Sequence, residues 1–251
     1  QIRQKESRDL YGLDIQYVKD ISMGNGILSL KVLGGMRGDN VQNVELSHTY
    51  QRKNTLETVA LGDVDESNFY TGVQATYEQG KLSLQGGIRA DRMVFNYRDA
   101  VTPVYVLNRG EKSRISPKIN IQYDVNDDLK CYIKAGRGFH SNDARVTLAG
   151  QVSNAMPMAT GVDFGVVTKA LKKVVLTGAL WYLRLDQEFV YVGDEGIIEP
   201  SGRTERKGID LGIRYQPVSS LFVYADYNTC KAISLDDEAG NNFIPLAPTT
   251  T

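Results

Sequence analysis

The chain has 251 residues with 29 basic and 30 acidic side chains, two histidines, two cysteines, 24 glycines and 14 tyrosines, and a formal net charge of -1. That balance excludes nucleic acid as a partner held by broad phosphate neutralisation, which needs a basic face. No segment reaches the roughly eighteen apolar residues of a membrane-spanning helix; the best run, Val174–Leu183, already contains Thr177 and Gly178.

Cys131 and Cys230 stand far apart with neither His48 nor His140 nearby, so no zinc framework can be read from the spacing, and no metal or cofactor is expected. The start, Gln1-Ile2-Arg3-Gln4-Lys5-Glu6, lacks the basic and apolar regions of a signal peptide, so any export signal was removed or lies outside this chain.

Valine, isoleucine, threonine and tyrosine are spread along the chain and no helical period emerges, which predicts an all-β protein. Residues 1–66 repeat poorly. Within them, Gly34-Gly35-Met36-Arg37-Gly38 precedes no helix and so is no phosphate cradle; its glycines suit a bent strand.

From residue 67 to 251 four hairpin units follow one another. Val73-x-Ala75-x-Tyr77 precedes a short turn at 78–81 and then Leu82-x-Leu84-x-Gly86. Ile119-x-Ile121-x-Tyr123 precedes a turn at 124–128 and then Leu129-x-Cys131-x-Ile133. Gly161 to Thr168 precedes a turn at 169–173, and Gly208 to Tyr215 a turn at 216–220. The anchors Tyr77, Tyr123, Thr168 and Tyr215 recur about every 46 residues, the length of two strands, a turn and a loop. Longer connections are predicted over 98–112, 139–157, 192–206 and from Ser234 onward. An antiparallel up-and-down meander of about ten to twelve strands follows, with short turns on one rim and long loops on the other.

One face of these strands carries no charge: Val73, Ala75, Ile119, Ile121, Ile133, Val162, Phe164, Ile209 and Leu211 lie on it. The other is polar and carries Arg89, Lys118, Lys130, Lys134, Asp163, Asp210 and Arg214. Alternation of this kind fits an apolar face turned into a soluble core or outward into lipid. Tyr77, Tyr123 and Tyr215, beside short turns on the apolar face, stand where an interfacial girdle would sit. So many meandering strands make a barrel too wide for side chains to fill. Both features favour a large transmembrane β-barrel.

Three segments then resemble the barrel of TonB-dependent outer-membrane receptors, in matching order: Arg137-Gly-Phe-His-Ser-Asn-Asp-Ala-Arg145, Glu199-Pro-Ser-Gly-Arg-Thr-Glu-Arg-Lys-Gly-Ile-Asp-Leu211, and Phe243-Ile-Pro-Leu-Ala-Pro248. The second is the most specific, a Gly-Arg-Thr-x-Arg-x-Gly strand that enters the membrane from outside. The resemblance covers most of residues 67–251. It implies a barrel of about 22 strands around an N-terminal plug, importing a scarce ligand such as siderophore-iron or cobalamin with energy relayed by the TonB complex from the inner membrane. Outer-membrane lipid, that complex and an unidentified small molecule are the implied partners.

No plug, TonB-contacting segment or terminal aromatic strand is found, so residues 1–251 read as a partial barrel domain. A passive porin or adhesin-like barrel and a soluble β-structured binding module are the alternatives.

No enzyme is expected. His140, Ser141 and Asp143 are too close in sequence for a hydrolase triad. In the receptor reading Arg137, His140, Asn142 and Arg145 lie where a strand leaves the outer rim and could contact an anionic or chelated ligand. Asp124-Val-Asn126-Asp127-Asp128 has Leu129 and Ala135 where a calcium loop needs Gly and Glu, and reads as a hairpin turn. Asp236-Asp237-Glu238 reads as a solvated charge run, and Arg203 and Arg206 as structural at the outer interface. The seven polar-face charges are expected to face the lumen and to pair with each other or with a plug.

Overall fold

The structure, a computed structural model, describes residues 1–101, 107–141, 155–169, 171–187, 189–192, 197–200, 202–238, 240–244, 247 and 249–250. Ten strands form one antiparallel sheet: β1 (Ile2–Met23), β2 (Gly26–Tyr50), β3 (Asn54–Gln79), β4 (Leu82–Asp99), β5 (Leu107–Asn126), β6 (Leu129–Phe139), β7 (Met158–Thr168), β8 (Val174–Leu185), β11 (Thr204–Val218) and β12 (Leu221–Ser234). They follow chain order, as a meander requires. Between β8 and β11 a separate hairpin, β9 (Phe189–Val192) with β10 (Ile197–Pro200), occupies the predicted long connection.

The predicted turns at 78–81, 124–128, 169–173 and 216–220 all close hairpins on one rim. Gly80 adopts φ of 55°, a left-handed conformation that a β-carbon would disfavour. The Asp128 amide donates to Asn126 Oδ1 at 2.9 Å, so the acidic stretch there is a side-chain-capped turn.

The connection expected over 98–112 is shorter than predicted. Both flanking strands continue, β4 to Asp99 and β5 from Leu107.

Residues 1–66, which carry no repeat, form the longest elements. β1 has 22 residues, β2 25 and β3 26, joined by turns at 24–25 and 51–53. Bulges between Val41 and Val44 and near Ser47 interrupt their pairing.

The cross-strand register puts the two predicted faces on opposite sides of the sheet. Tyr17, Val32, Val73 and Ile88 pair in one row, and Ile21, Leu28, Tyr77, Leu84, Ile121, Ile133, Phe164, Leu180 and Ile209 in another. These side chains are outward and bare: Tyr17 is 65% exposed, Val73 52%, Ile88 48% and Leu180 54%. On β5 the band runs from Ile115 to Tyr123, about the length that crosses a hydrocarbon core on a tilted strand. So wide an apolar surface is stable only against lipid or another apolar phase.

On the polar side, aromatic rings lie flat over glycines directly across the ladder: Tyr70 over Gly35, Tyr132 over Gly165 and Trp181 over Gly208. A ring covering bare backbone excludes water from the ladder and fills space that any β-carbon would claim. Gly35, read from sequence as easing a bend, therefore serves a close approach.

Pro117 marks a division in the wall. It has no N–H to donate, and pairing of β5 with β6 extends outward only to Lys118 opposite Gly136. Beyond it, β5 continues against β4 alone, while Arg137 to Phe139 of β6 pair only with β7.

Arg203 and Asp236 fasten the outer end of the β11–β12 pair. The Arg203 amide donates to Asp236 Oδ2 at 2.7 Å and its guanidinium donates to Oδ1 at 2.8 and 2.5 Å. Gly202 has φ of 61°, and a β-carbon there would collide with the Asp236 carboxylate. Asp236 is thus a structural clasp rather than part of a purely solvated run, and Arg203 has the structural role expected of it.

Two outcomes follow from these contacts. Gly208→Ala drives a methyl into the Thr229 carbonyl and to within 2.5 Å of the Trp181 ring; it should destabilise the sheet by about 1–3 kcal/mol. The midpoint of urea unfolding in detergent, read by emission from the single tryptophan, reports it.

The Arg203 guanidinium holds the Asp236 carboxyl below its ordinary value of 3.8, and the carboxylate in turn raises the arginine. A depressed carboxyl stabilises the fold above its unfolded value and loses that contribution as pH falls through the lower, folded one. Hydrogen-exchange protection of the Arg203 amide should therefore persist down to pH 3.8 and vanish only below it. In Asp236→Asn the pH step should be absent.

Candidate functional site

Near the outer end of the sheet the polar face changes character. Val41 of β2, Val64 of β3, and Met93 and Phe95 of β4 form an apolar patch on this otherwise charged side. It is covered by the end of the β6–β7 connection. Met156 is fully buried against the patch, Pro157 is buried beside it, and Ala155, Phe139 and Tyr97 pack around them. The Arg114 Nε of β5 donates to the Met156 carbonyl at 2.7 Å, satisfying a backbone group that the apolar contact takes out of water.

Next to this anchor lies a cleft of about 510 Å³, lined by Arg37, Asp39, Glu66, Asn68, Arg89, Met93, Phe139, His140 and Ser141. Strands β2 to β4 supply one wall. The beginning of the same β6–β7 connection supplies the other.

Charges in the cleft are arranged unequally. Asp91 is buried and accepts two hydrogen bonds from Arg89 Nε at 3.1 and 2.9 Å, one from Arg89 Nη2 at 2.7 Å and one from Asn68 Nδ2 at 3.1 Å. The Arg89 guanidinium also sits 4.0 Å from the centre of the Tyr70 ring. Asp39 pairs with Arg8 at 3.2 Å and Arg37 at 4.0 Å. In each pair the cation is the exposed partner: the Arg37 and Arg89 side chains are 62% and 43% exposed, against 16% for Asp39 and 0% for Asp91.

The buried Asp91 carboxylate fixes Arg89 in place, Arg37 stands at the limit of ion pairing with Asp39, and the guanidinium edges and His140 face solvent beside Glu66, which also lines the cleft. Such a surface suits an anionic ligand with planar oxygen donors.

The four residues expected to touch ligand do not act as one group. His140 lines the cleft. Arg137 shares strand parity with Cys131 and Ile133 and pairs with Thr160, so it stands on the opposite, apolar-band side of the sheet and not beside His140. β6 ends at Phe139, so His140 lies past the strand and enters the cleft from the connection. Asn142 and Arg145 lie outside the described residues.

All seven charges assigned to the lumen, Arg89, Lys118, Lys130, Lys134, Asp163, Asp210 and Arg214, fall on the polar face by register. Their partners are mostly other residues. Arg89 is held by Asp91, Lys130 reaches Asp124 at 3.4 Å, Lys134 lies 4.6 Å from the centre of the Tyr132 ring, and Arg214 pairs with Asp226 at 2.8 Å beneath Tyr224. Lys134 and Asp163 are cross-strand neighbours without an ion pair among the described residues. No cluster of His, Cys, Asp and Glu able to hold a metal occurs among the described residues.

Sequence reasoning missed Arg37, Asp39 and Glu66, which come from the segment without a repeat, and Asn68 just beyond it. Their alternation with Met36, Gly38 and Phe69 was the available signal.

A family model described as TonB dependent receptor-like, beta-barrel, matches residues 3–251. No curated protein matches the sequence. Among solved structures, the chain is similar to the ferric citrate transporter FecA in its unliganded form, with 15% identity and a TM-score of 0.81 over 99% of this chain and 39% of that one. It is also similar to the ferric-catecholate import receptor Fiu of E. coli K12 (14%, 0.71, 98% and 41%) and the ferric yersiniabactin uptake receptor FyuA of Yersinia pestis (11%, 0.71, 99% and 39%). The chain thus spans about two fifths of the length of these structures.

Met156→Ala empties the anchor and should cost about 2–5 kcal/mol, the usual range for truncating a fully buried methionine. The barrel ladder should stay intact while protease cleavage within the β6–β7 connection accelerates. Unchanged cleavage and an unchanged unfolding midpoint would show that the contact does not hold the connection.

Proposed function

Because this chain belongs to the TonB-dependent receptor family, whose members are outer-membrane receptors and not enzymes, we propose that the protein containing it binds a ferric chelate in its outer vestibule and imports it with energy relayed by TonB. The apolar band faces outer-membrane lipid, and the polar face lines the lumen. The carrying observation is the cleft where Arg37, Arg89 and His140 converge on solvent while Asp39 and Asp91 stay withdrawn.

Ferric chelates of citrate, catecholates and hydroxy acids present ionised oxygens around a masked metal, so a receptor recognises them by charge and shape rather than by metal ligation. The names of the similar structures, for ferric citrate, ferric catecholates and ferric yersiniabactin, favour this class over cobalamin or a glycan. Asn142 and Arg145 belong to the same connection as His140 and are natural additional contacts. Lumenal charges without an ion pair among the described residues, such as Lys118, Asp163 and Asp210, are suited to a plug supplied by another part of the protein.

The full-length gene, expressed in cells lacking their own iron receptors, provides the test. Radio-iron presented as citrate, catecholate and mixed-ligand chelates should accumulate for at least one of them, and only in cells with a working TonB complex. Arg37→Gln combined with His140→Gln should weaken binding of that chelate on the order of tenfold to hundredfold. Accumulation that survives loss of TonB would make the protein a passive conduit.

A further inference from the structure

The outward face of the sheet carries a second charged surface that ligand import leaves unused. Just above the apolar band on β6 to β12, two adjacent register rows hold four exposed cations. One row runs Arg137, Thr160, Arg184, Glu205; the next runs Ala135, Val162, Tyr182, Lys207, Lys231. Arg137, Arg184, Lys207 and Lys231 are all exposed. The row beneath carries the bare apolar side chains Ile133, Phe164, Leu180 and Ile209.

Only one carboxylate stands within these rows. Glu205 is occupied by the Tyr182 hydroxyl, which donates to it at 3.1 Å, and by Lys207 at 3.7 Å. Asp186 and Asp236 lie beyond the strand ends, and Asp236 is clasped to Arg203. Lys207 and Lys231 face each other directly across the ladder, a placement that repels when no anion lies between them.

We propose that this surface binds the phosphorylated headgroup of an outer-leaflet lipid. The cations sit on the lipid-facing side, at the end of the band nearer the long loops, which in outer-membrane barrels is the external end. Lysine and arginine stems lie along apolar wall and carry their charge to the headgroup plane, where phosphates are the abundant anions. Thr160 adds a hydroxyl donor between the cations. From β6 to β12 the patch crosses four strand spacings, about 19 Å. That is wider than one phosphate, so the headgroup carries at least two. The inference depends only on the chain's place in an outer-membrane barrel and is separate from the lumenal cleft, which opens on the opposite face.

The test uses the full-length receptor purified in neutral detergent and offered mixed micelles containing diphosphoryl lipid A or phosphatidylcholine, with retained lipid counted by native mass spectrometry. The receptor should keep the diphosphoryl lipid in preference to phosphatidylcholine, and retention should fall as salt is raised. Lys207→Gln with Lys231→Gln should reduce retention on the order of twentyfold, about fivefold for each cation, while Lys207→Arg with Lys231→Arg should preserve it. Equal retention by receptor and glutamine variant overturns the proposal, as does equal retention of the two lipids. Complete displacement by millimolar inorganic phosphate would make the site one for free anions and also overturn it. If the glutamine pair fails to fold, judged by its heat-dependent gel mobility, the salt titration of the unaltered receptor decides; salt-independent retention overturns the proposal.

Discussion

Each strand of this sheet offers one face to hydrocarbon and one to water, and the pleat allows no third choice. That constraint explains why uncharged apolar residues recur at every second position through Val73, Ile119, Phe164 and Ile209 while their neighbours are polar, charged or glycine. It also fixes register, because a slip of one residue would carry Arg89, Lys134 and Asp163 into the bilayer. The aromatic rings laid over glycines act within the same rule. They shield the ladder on the watery side, where no lipid tails press against it.

The watery face is divided along its height. Near the short turns, charges are held by neighbours on the same or the next strand, as in Lys130 with Asp124 and Arg214 with Asp226. Near the outer end it turns apolar at Val41, Val64 and Phe95, which would be misplaced in a water-filled lumen but for Met156 and Pro157 covering them. One connection therefore both closes an apolar patch and, through His140 and Ser141, builds a wall of the cleft beside it. Position of the cleft wall and burial of the anchor are two ends of one segment.

The sequence made some of this legible and hid the rest for identifiable reasons. Hairpins from residue 67 onward recur at nearly constant spacing because each must cross the same hydrocarbon thickness, so faces and turns could be read directly. In β1 to β3 the strands run on well past that thickness, and bulges near Asn43 and Ser47 shift the phase. Arg37, Asp39, Glu66 and Asn68 lie in or next to that stretch and were not singled out. Met156 reaches partners far away in the chain, which no local pattern records. Arg137 and His140 were grouped for being close in sequence, although β6 ends between them and only the residue past its end reaches the cleft.

Strand lengths give the molecule an uneven skyline. All hairpins share the short-turn rim, yet β2 and β3 have 25 and 26 residues where β6, β7 and β8 have 11, 11 and 12. At strand rise and barrel tilt the difference is about 35 Å of height. Along this stretch of wall the outer edge therefore steps down from β2 and β3 to β6, β7 and β8, with the parting above Pro117 between them. A molecule reaching this sheet at its outer edge meets strand on the β2–β3 side well before it meets strand on the β6–β8 side.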